Sequence, residues 1–161
     1  MIRIREIEEK DKDAIWEILE FVISQGDSFT FALETSRDFA LGDWCSSEKH
    51  SFVAVDDDKI LGTFYIKPNQ TGLGSHVANA GYAVSHDVRR MGVGRLMGEN
   101  SLVIAKDLGY LAMQFNIVVK SNIGAVNLWK SLGFQIIGEI PEAFLHKENG
   151  LTNAYIMYKK L

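Results

Sequence analysis

The sequence predicts one α/β domain over residues 1–161, built on a mixed β-sheet with helices on both faces. Three observations support this prediction. Short alternating or wholly apolar runs, typical of strands, are interleaved with runs that repeat every three to four residues, typical of helices. Glycines and polar residues separate these runs. A chain of 161 residues, 47% of them hydrophobic, is also long enough to bury a core.

The helical runs are recognised by their apolar faces and their ends. The first begins near Asp11 or Asp13, either of which can cap it, and ends at Gly26. Its apolar residues fall at i, i+3, i+4, i+7 and i+8 from Ile15. Three more helices are predicted, at about 36–44, at about 93–108, and from a cap at Ser121 or Asn122 to Gly133.

The strand runs show either alternation or continuous hydrophobicity. Ile2-Arg3-Ile4-Arg5 alternates, and the apolar run Ala112–Val119 is typical of a central strand. Further strands are predicted at 51–55, 60–67, 77–84, 134–140 and 154–159. Asp56–Lys59 forms a hairpin turn, and Pro141 opens a loop that lasts to Asn153. The resulting order is one strand, two helices, three strands, a helix, a strand, a helix and two strands.

Composition limits the class of protein. The net charge of −4 argues against nucleic acid as a partner. Cys45 is the only cysteine, so the chain can form no internal disulfide and no cysteine zinc cluster, and we predict no metal site. No apolar run reaches the ~20 residues of a membrane span, and the first residues lack the apolar core of a signal peptide. We therefore expect a cytoplasmic protein without a membrane partner.

A basic, glycine-containing turn lies between the predicted strand at 77–84 and the helix that follows. Its sequence is Arg89-Arg90-Met91-Gly92-Val93-Gly94-Arg95. Glycines allow a ligand to approach the backbone, and a helix N-terminus offers free N–H groups to an anion. A dinucleotide-binding turn would need a third glycine where Met97 stands, and the P-loop pattern is absent. The remaining pattern, Arg-x-x-Gly-x-Gly after a strand, predicts a different phosphate ligand.

This pattern resembles the pyrophosphate-binding motif of the GNAT family of N-acetyltransferases. The segment Asn122–Phe134 resembles a second family motif, Asn-x-x-Ala-x-x-Leu-Tyr-x-x-x-Gly-Phe, and the predicted element order matches the GNAT fold. The resemblance covers nearly the whole chain and implies acetyl-CoA as the cofactor. It implies that the cofactor-binding residues are Val84, Val88, Arg89, Arg90, Met91, Gly92, Val93, Gly94 and Arg95 around the pyrophosphate, with Asn122 beside the pantetheine arm.

A closer resemblance concerns the acceptor. Gly62–Asn69, Ser75–Tyr82 and Phe115–Val118 are similar to segments of the fungal acetyltransferases that modify L-azetidine-2-carboxylate and related imino acids. The resemblance implies that Asn79 binds the acceptor and that Asn116 and Asn122 are functional. Asn79 and Asn116 stand among apolar neighbours, where an unpaired amide is costly, so we predict that both are buried for function.

The proton donor is harder to assign from the sequence. The family's usual tyrosine is replaced by Trp129, whose indole N–H is not a useful acid. Either Tyr82 supplies the proton, or none is needed because a thiol ionises near pH ~8.5. His76 is a candidate base and His86 a candidate phosphate contact, but the ordinary exposure of histidine favours a solvated loop side chain at each position.

The acceptor side is predicted from aromatic residues in the loop after the first helix. Phe29 and Phe31 either form a wall of the acceptor pocket or pack in the core. Three functions follow from the sequence. The first is acetyl transfer, by direct attack in a ternary complex, to the amine of a small amino or imino acid. The others are acetylation of a protein N-terminus or lysine, and non-enzymatic binding of acyl-CoA. Homodimer formation is left open.

Overall fold

The computed structural model describes residues 1–161 and contains one seven-stranded mixed sheet with four α-helices. This confirms the predicted fold class and element order. The helices are α1 (Lys12–Gln25), α2 (Arg37–Trp44), α3 (Val93–Asp107) and α4 (Ile123–Ser131). The strands are β1 (Arg3–Glu6), β2 (His50–Asp56), β3 (Lys59–Pro68), β4 (Val77–Val84), β5 (Ala112–Val119), β6 (Gln135–His146) and β7 (Gly150–Lys160).

The sheet has the spatial order β1-β2-β3-β4-β5-β7-β6, and its only parallel pair is β4 with β5. That pair is registered only at Val77 with Ala112 and at Ala78 with Met113. By contrast, β3 and β4 pair antiparallel along the full length of β4. The sheet is therefore continuous at one end of β4 and open between β4 and β5 at the other end.

Each face of the sheet has its own core. Helices α1 and α2 cover one face, where Ile15, Leu19 and Trp44 are almost fully buried against β2 and β3. Helices α3 and α4 cover the other face, where Met97 and Trp129 pack against the central strands. The alternation of side chains along β4 divides its residues between these two cores. None of the helices has the length and apolar content needed to cross a bilayer.

The predicted loop at 141–153 is wrong, because this segment belongs to a hairpin formed by β6 and β7. Pro141 lies inside β6, where the register shifts between Ile140 and Phe144 and Glu142 has a φ of 50°. A proline is tolerated there because β6 is an edge strand and the irregularity removes a ladder hydrogen bond that proline could not donate.

The predicted caps have mixed outcomes. Gly26, with a φ of 59°, ends α1 in the left-handed conformation as expected. The Asp11 carboxylate does not cap α1; it accepts two hydrogen bonds from the Arg5 guanidinium, at 2.7 and 3.0 Å, and one from the backbone N–H of Glu8. The hydrogen bonds from Arg5 hold the pKa of Asp11 below its usual value. This partly buried ion pair ties β1 to the start of α1.

Candidate active site

A cavity of about 480 Å³ lies at the opening between β4 and β5. On the face covered by α1 and α2 it reaches the loop between those helices, and on the other face it reaches α4. Predicted site residues that line the cavity are Phe29, Phe31, Asn79, Tyr82, Val84, Arg89, Asn116 and Asn122. The sequence therefore identified residues that are distant in the chain and meet around one space.

The turn before α3 presents a run of unpaired backbone donors. Gly92 has a φ of 78° and is the N-cap residue of α3. The N–H groups of Gly92, Val93, Gly94 and Arg95 donate to no protein acceptor, because the first helical bond runs from Leu96 to Gly92. A Cβ at Gly94 would make only ordinary contacts, at 3.7 Å from Val84 and 3.8 Å from Leu128. These free donors at a helix N-terminus fit a pyrophosphate.

The side chains of this turn do not all face the same space. Val88 and Val93 are buried in the core, so they can contribute to a ligand site only through their backbone. Met91 is exposed, and the Arg89 guanidinium lies 5.1 Å from the centre of the Phe21 ring on α1.

Two further arginines flank the turn. Arg90 is exposed and has a φ of 67°. The Arg95 guanidinium donates to Ser131 at 3.0 Å and pairs with Glu99 at 2.9 Å. The resemblance placed Arg95 beside the pyrophosphate, but its guanidinium already has these protein partners, so its backbone N–H is the group left free for a phosphate.

Backbone groups of β4 turn toward the opening. Alternate residues of a strand direct their backbone groups to opposite neighbours. Because the carbonyl of Val77 and the N–H of Ser85 bond on the β3 side, those of Ala80 and Tyr82 face β5. Ala80 and Tyr82 lie beyond the last registered pair and line the cavity. The opening therefore contains backbone donors that no strand occupies.

Asn79 lies where the two strands separate, and the residue is 9% exposed. Its Nδ2 donates to the carbonyl of Gln114 at 2.9 Å. The Asn79 side chain thus makes a hydrogen bond to the first β5 carbonyl beyond the registered pairs. Its Oδ1 accepts no hydrogen bond from the protein and remains available to a ligand, which agrees with the predicted burial of this amide.

Asn116 and Asn122 differ from Asn79. Asn116 is exposed, so the prediction that it is buried is wrong. Its Oδ1 accepts from Gln114 at 3.1 Å, and its Nδ2 donates to Asn69 at 2.7 Å. Asn122 caps α4, because its Oδ1 accepts from the N–H of Ala125 at 3.3 Å, and its Nδ2 has no protein partner. Asn116 links β5 to the loop after β3, whereas Asn122 keeps a free donor beside the cavity.

The hydroxyl of Tyr82 points into the core on the face of α3. It lies 2.7 Å from Ser101 Oγ, and Ser101 itself donates to the carbonyl of Gly98. Tyr82 therefore donates its proton to Ser101, and burial raises its pKa well above the usual tyrosine value. This arrangement contradicts the predicted role of Tyr82 as the acid, because the hydroxyl is engaged away from the reacting groups.

The acceptor side is an aromatic wall that includes Tyr65, a residue that no sequence pattern marks as part of the site. The rings of Phe29 and Phe31 lie 6.1 Å apart, and Phe29 lies 5.6 Å from Trp44. Trp44 packs edge-on against Tyr65 at 4.8 Å. Alternation along β3 could have placed Tyr65 on this face, but only the register with β4 brings it to the cavity.

The charge of the cavity is unusual for a site that must accept an amine. No aspartate, glutamate or histidine lines it, and Arg89 is its only ionised side chain. His76 and His86 are exposed and lie outside it. Nowhere do three or more histidine, cysteine or acidic side chains cluster as a metal site would require.

The fold and the cavity, with free backbone donors beside it, fit the acetyltransferase class of protein. The sequence model of the acetyltransferase (GNAT) family matches residues 4–134. The chain belongs to this family, which confirms the predicted class of enzyme and its acetyl-CoA cofactor.

Two curated proteins are similar to part of the chain. The N-acetyltransferase aca1 of Schizosaccharomyces pombe is 40% identical over 98 residues, which are 60% of this chain and 47% of that protein. Protein SPT10 of Saccharomyces cerevisiae is 29% identical over 104 residues, or 65% of this chain and 16% of that protein. The chain thus spans less than half the length of these curated relatives.

Solved structures match over the whole chain. A GCN5-related N-acetyltransferase from Kribbella flavida is 35% identical, covers 99% of this chain and 98% of its own, and has a TM-score of 0.95. A phosphinothricin acetyltransferase from Sinorhizobium meliloti, solved with AcCoA, shares the fold with a TM-score of 0.86 at 18% identity, over 99% of this chain and 88% of its own.

Proposed function

We propose that this protein transfers the acetyl group of acetyl-CoA to the amine of a small amino or imino acid. The observation that carries the small acceptor is a bridge between the end of α1, just before the loop with Phe29 and Phe31, and the β6–β7 turn. The N–H of Lys147, in the β6–β7 turn, donates to the carbonyl of Gly26 at 2.9 Å, and its Nζ donates to the carbonyl of Ser24 at 3.0 Å. A peptide lying between these segments would have to break the bridge.

Two sets of hydrogen-bond donors would hold the cofactor on the donor side of the site. The free N–H groups of residues 92–95 would hold the pyrophosphate, and the Nδ2 of Asn122 would donate to the pantetheine arm. Acetyl-CoA supplies the activated acetyl thioester. The backbone N–H groups of Ala80 and Tyr82 face the opening and would stabilise negative charge on an acyl oxygen there.

The acceptor side supplies positioning and no acid–base group. The Oδ1 of Asn79 can accept a hydrogen bond from the attacking amine, and the apolar rings of Phe29 and Phe31 exclude water around it. An amide cannot act as a general base, so the amine must lose its proton to water. Placing the two reactants side by side then supplies much of the rate.

Two other functions fit the same fold less well. A lysine or protein N-terminus is cationic before it reacts and, unlike an amino acid, has no carboxylate beside its amine to balance that charge. Acidic side chains would be needed to attract it, and none lines this cavity. Loss of the tyrosine at position 129 is the only support for non-enzymatic binding of acyl-CoA. The unpaired Oδ1 of Asn79 has an obvious use in an enzyme and none in a binding module.

Release of free thiol from acetyl-CoA tests the proposal directly. We expect turnover with free amino or imino acids such as L-azetidine-2-carboxylate and proline, and much weaker turnover with peptides of the same terminal residues. If only peptides are acetylated, the protein acts on protein amines and the small-acceptor proposal is wrong. Binding of coenzyme A without turnover of any amine would support the binding module.

The three asparagines provide a second prediction. Asn79→Ala removes an available acceptor, and losing one hydrogen bond to a charged substrate costs about 1.5–3 kcal/mol, or about ten- to a hundredfold in kcat/KM for the acceptor. Asn116→Ala should cost less, because its amide bonds only to Asn69 and Gln114. Asn122→Ala should instead raise the KM for acetyl-CoA.

Steady-state kinetics with each substrate varied in turn check this order. Asn127→Ala is the matched control, because Asn127 is exposed on α4 and lies outside the cavity. Unchanged acceptor kinetics in Asn79→Ala would make Asn79 a structural amide that only occupies the Gln114 carbonyl.

A further inference from the structure

The ring of Tyr65 is held in one position against the acceptor side of the cavity. Tyr65 pairs with Gly81 in the β3–β4 register, so their side chains would share one face of the sheet. A Cβ at position 81 would lie 2.6 Å from Cε1 and 2.9 Å from the hydroxyl oxygen of Tyr65. The ring thus lies over Gly81 and occupies the space that any other residue there would fill.

Two further contacts hold the same ring. Trp44 packs against it at an interplanar angle of 83°, and the Lys49 ammonium lies 4.2 Å from its centre. Lys49 is itself paired with Asp43 at 3.0 Å. A cation over the face of a tyrosine draws electron density from the ring, which makes the hydroxyl a better hydrogen-bond donor.

The Tyr65 hydroxyl has no hydrogen-bond partner in the protein. Every fully buried side-chain polar atom has a partner, so this hydroxyl is not fully buried, and Tyr65 lines the cavity. The other aromatic side chains of the wall offer no free polar atom. Phe29 and Phe31 have none, and the indole N–H of Trp44 already donates to Thr63 at 3.0 Å. Burial, with a smaller contribution from Asp43, raises the pKa of Tyr65 to about 12, so the hydroxyl stays protonated near neutral pH.

We propose that the Tyr65 hydroxyl donates a hydrogen bond to the carboxylate of the acceptor and thereby selects amino and imino acids over simple amines. This inference rests on the proposed function. Asn79 and Gly81 lie two residues apart on the same face of β4, so the Asn79 amide and the Tyr65 hydroxyl flank one place above that strand. An amino acid bound there would present its amine to Asn79 Oδ1 and its carboxylate to Tyr65.

The test compares pairs of acceptors that differ only in the carboxylate, such as proline with pyrrolidine and azetidine-2-carboxylate with azetidine. In Tyr65→Phe, we expect the acceptor KM to rise and kcat/KM to fall by about ten- to a hundredfold for the acids. The matched amines should lose little, and coenzyme A affinity measured by calorimetry should not change. Tyr110→Phe is the control, because its hydroxyl has no protein partner and lies outside the cavity.

Gly81→Ala tests the same position without removing the hydroxyl. Its Cβ would displace the ring, so it should reproduce the selective loss for the acids, with folding followed by the unfolding midpoint. An equal loss for acids and amines in Tyr65→Phe, or no loss for either, overturns the assignment of Tyr65 while leaving acetyl transfer to small amines intact. Failure of the wild type to acetylate any free amine overturns the proposed function, and the role of Tyr65 with it.

Discussion

Replacing Gly94 with valine (Gly94→Val) is expected to lower coenzyme A affinity by about a hundredfold or more while leaving the fold intact. Gly94 is the second residue of α3, and its N–H is one of the free donors of the turn. The side chain would be tolerated by the protein, since its Cβ meets Val84 and Leu128 at ordinary distances. The additional methyl groups would then occupy the entrance that a phosphate needs, and a hundredfold corresponds to about 2.7 kcal/mol.

Calorimetric titration with coenzyme A, together with thermal unfolding, checks this expectation. Gly42→Val is the matched control, because Gly42 lies in α2 with no atom within 4 Å of an added Cβ. Both variants replace glycine with valine inside a helix, so the change in helix propensity is shared and only the effect on the ligand should differ. Unchanged coenzyme A affinity in Gly94→Val would show that the turn is not part of the binding site.

Most of the fold could be predicted because local patterns decide it. The largely apolar run in β5 indicated a central strand, and β5 lies between β4 and β7. The β6–β7 hairpin was missed for the opposite reason. Pro141 normally ends a strand, but here it falls at an irregularity in an edge strand, and edge position depends on the whole sheet.

The site was predictable where backbone geometry carries the function. The first backbone N–H groups of a helix have no partner within the helix, so a glycine-containing turn there predicts free donors whatever the rest of the fold. The side-chain predictions depended on orientation. Tyr82 and Tyr65 lie on adjacent strands, but one hydroxyl is used by Ser101 in the core and the other is free at the cavity. The sequence alone gives no reason to prefer the second tyrosine.

Asn79 and Asn116 show the same limit. Both interrupt apolar runs, yet one is 9% exposed and the other belongs to an exposed set of amides with Asn69 and Gln114. The difference follows from the separation of β4 and β5. That separation is a property of the pairing between strands, which no single run of residues encodes.

Trp129→Ala is expected to destabilise the protein by about 3–5 kcal/mol, the usual cost of removing a buried tryptophan side chain. Trp129 is 8% exposed, and its ring lies 4.7 Å from the rings of both Tyr82 and Phe115 and 5.8 Å from that of Phe134. It also fills space beside Gly98, where an added Cβ would lie 3.1 Å from its Cζ3. Denaturant unfolding, analysed for the midpoint and slope, measures the loss.

Trp129→Phe separates packing from chemistry at the same position. A phenylalanine keeps a ring against Tyr82 and Phe115 and removes the indole N–H. That N–H has no protein acceptor, and Trp129 lines the cavity. If the tryptophan serves the core, this variant should lose less stability than Trp129→Ala and keep most of its turnover. Loss of turnover in a folded Trp129→Phe that still binds coenzyme A would instead assign the indole N–H a part in the reaction. In that case the residue in place of the usual tyrosine would act as a hydrogen-bond donor, because an indole cannot give up its proton as a phenol can.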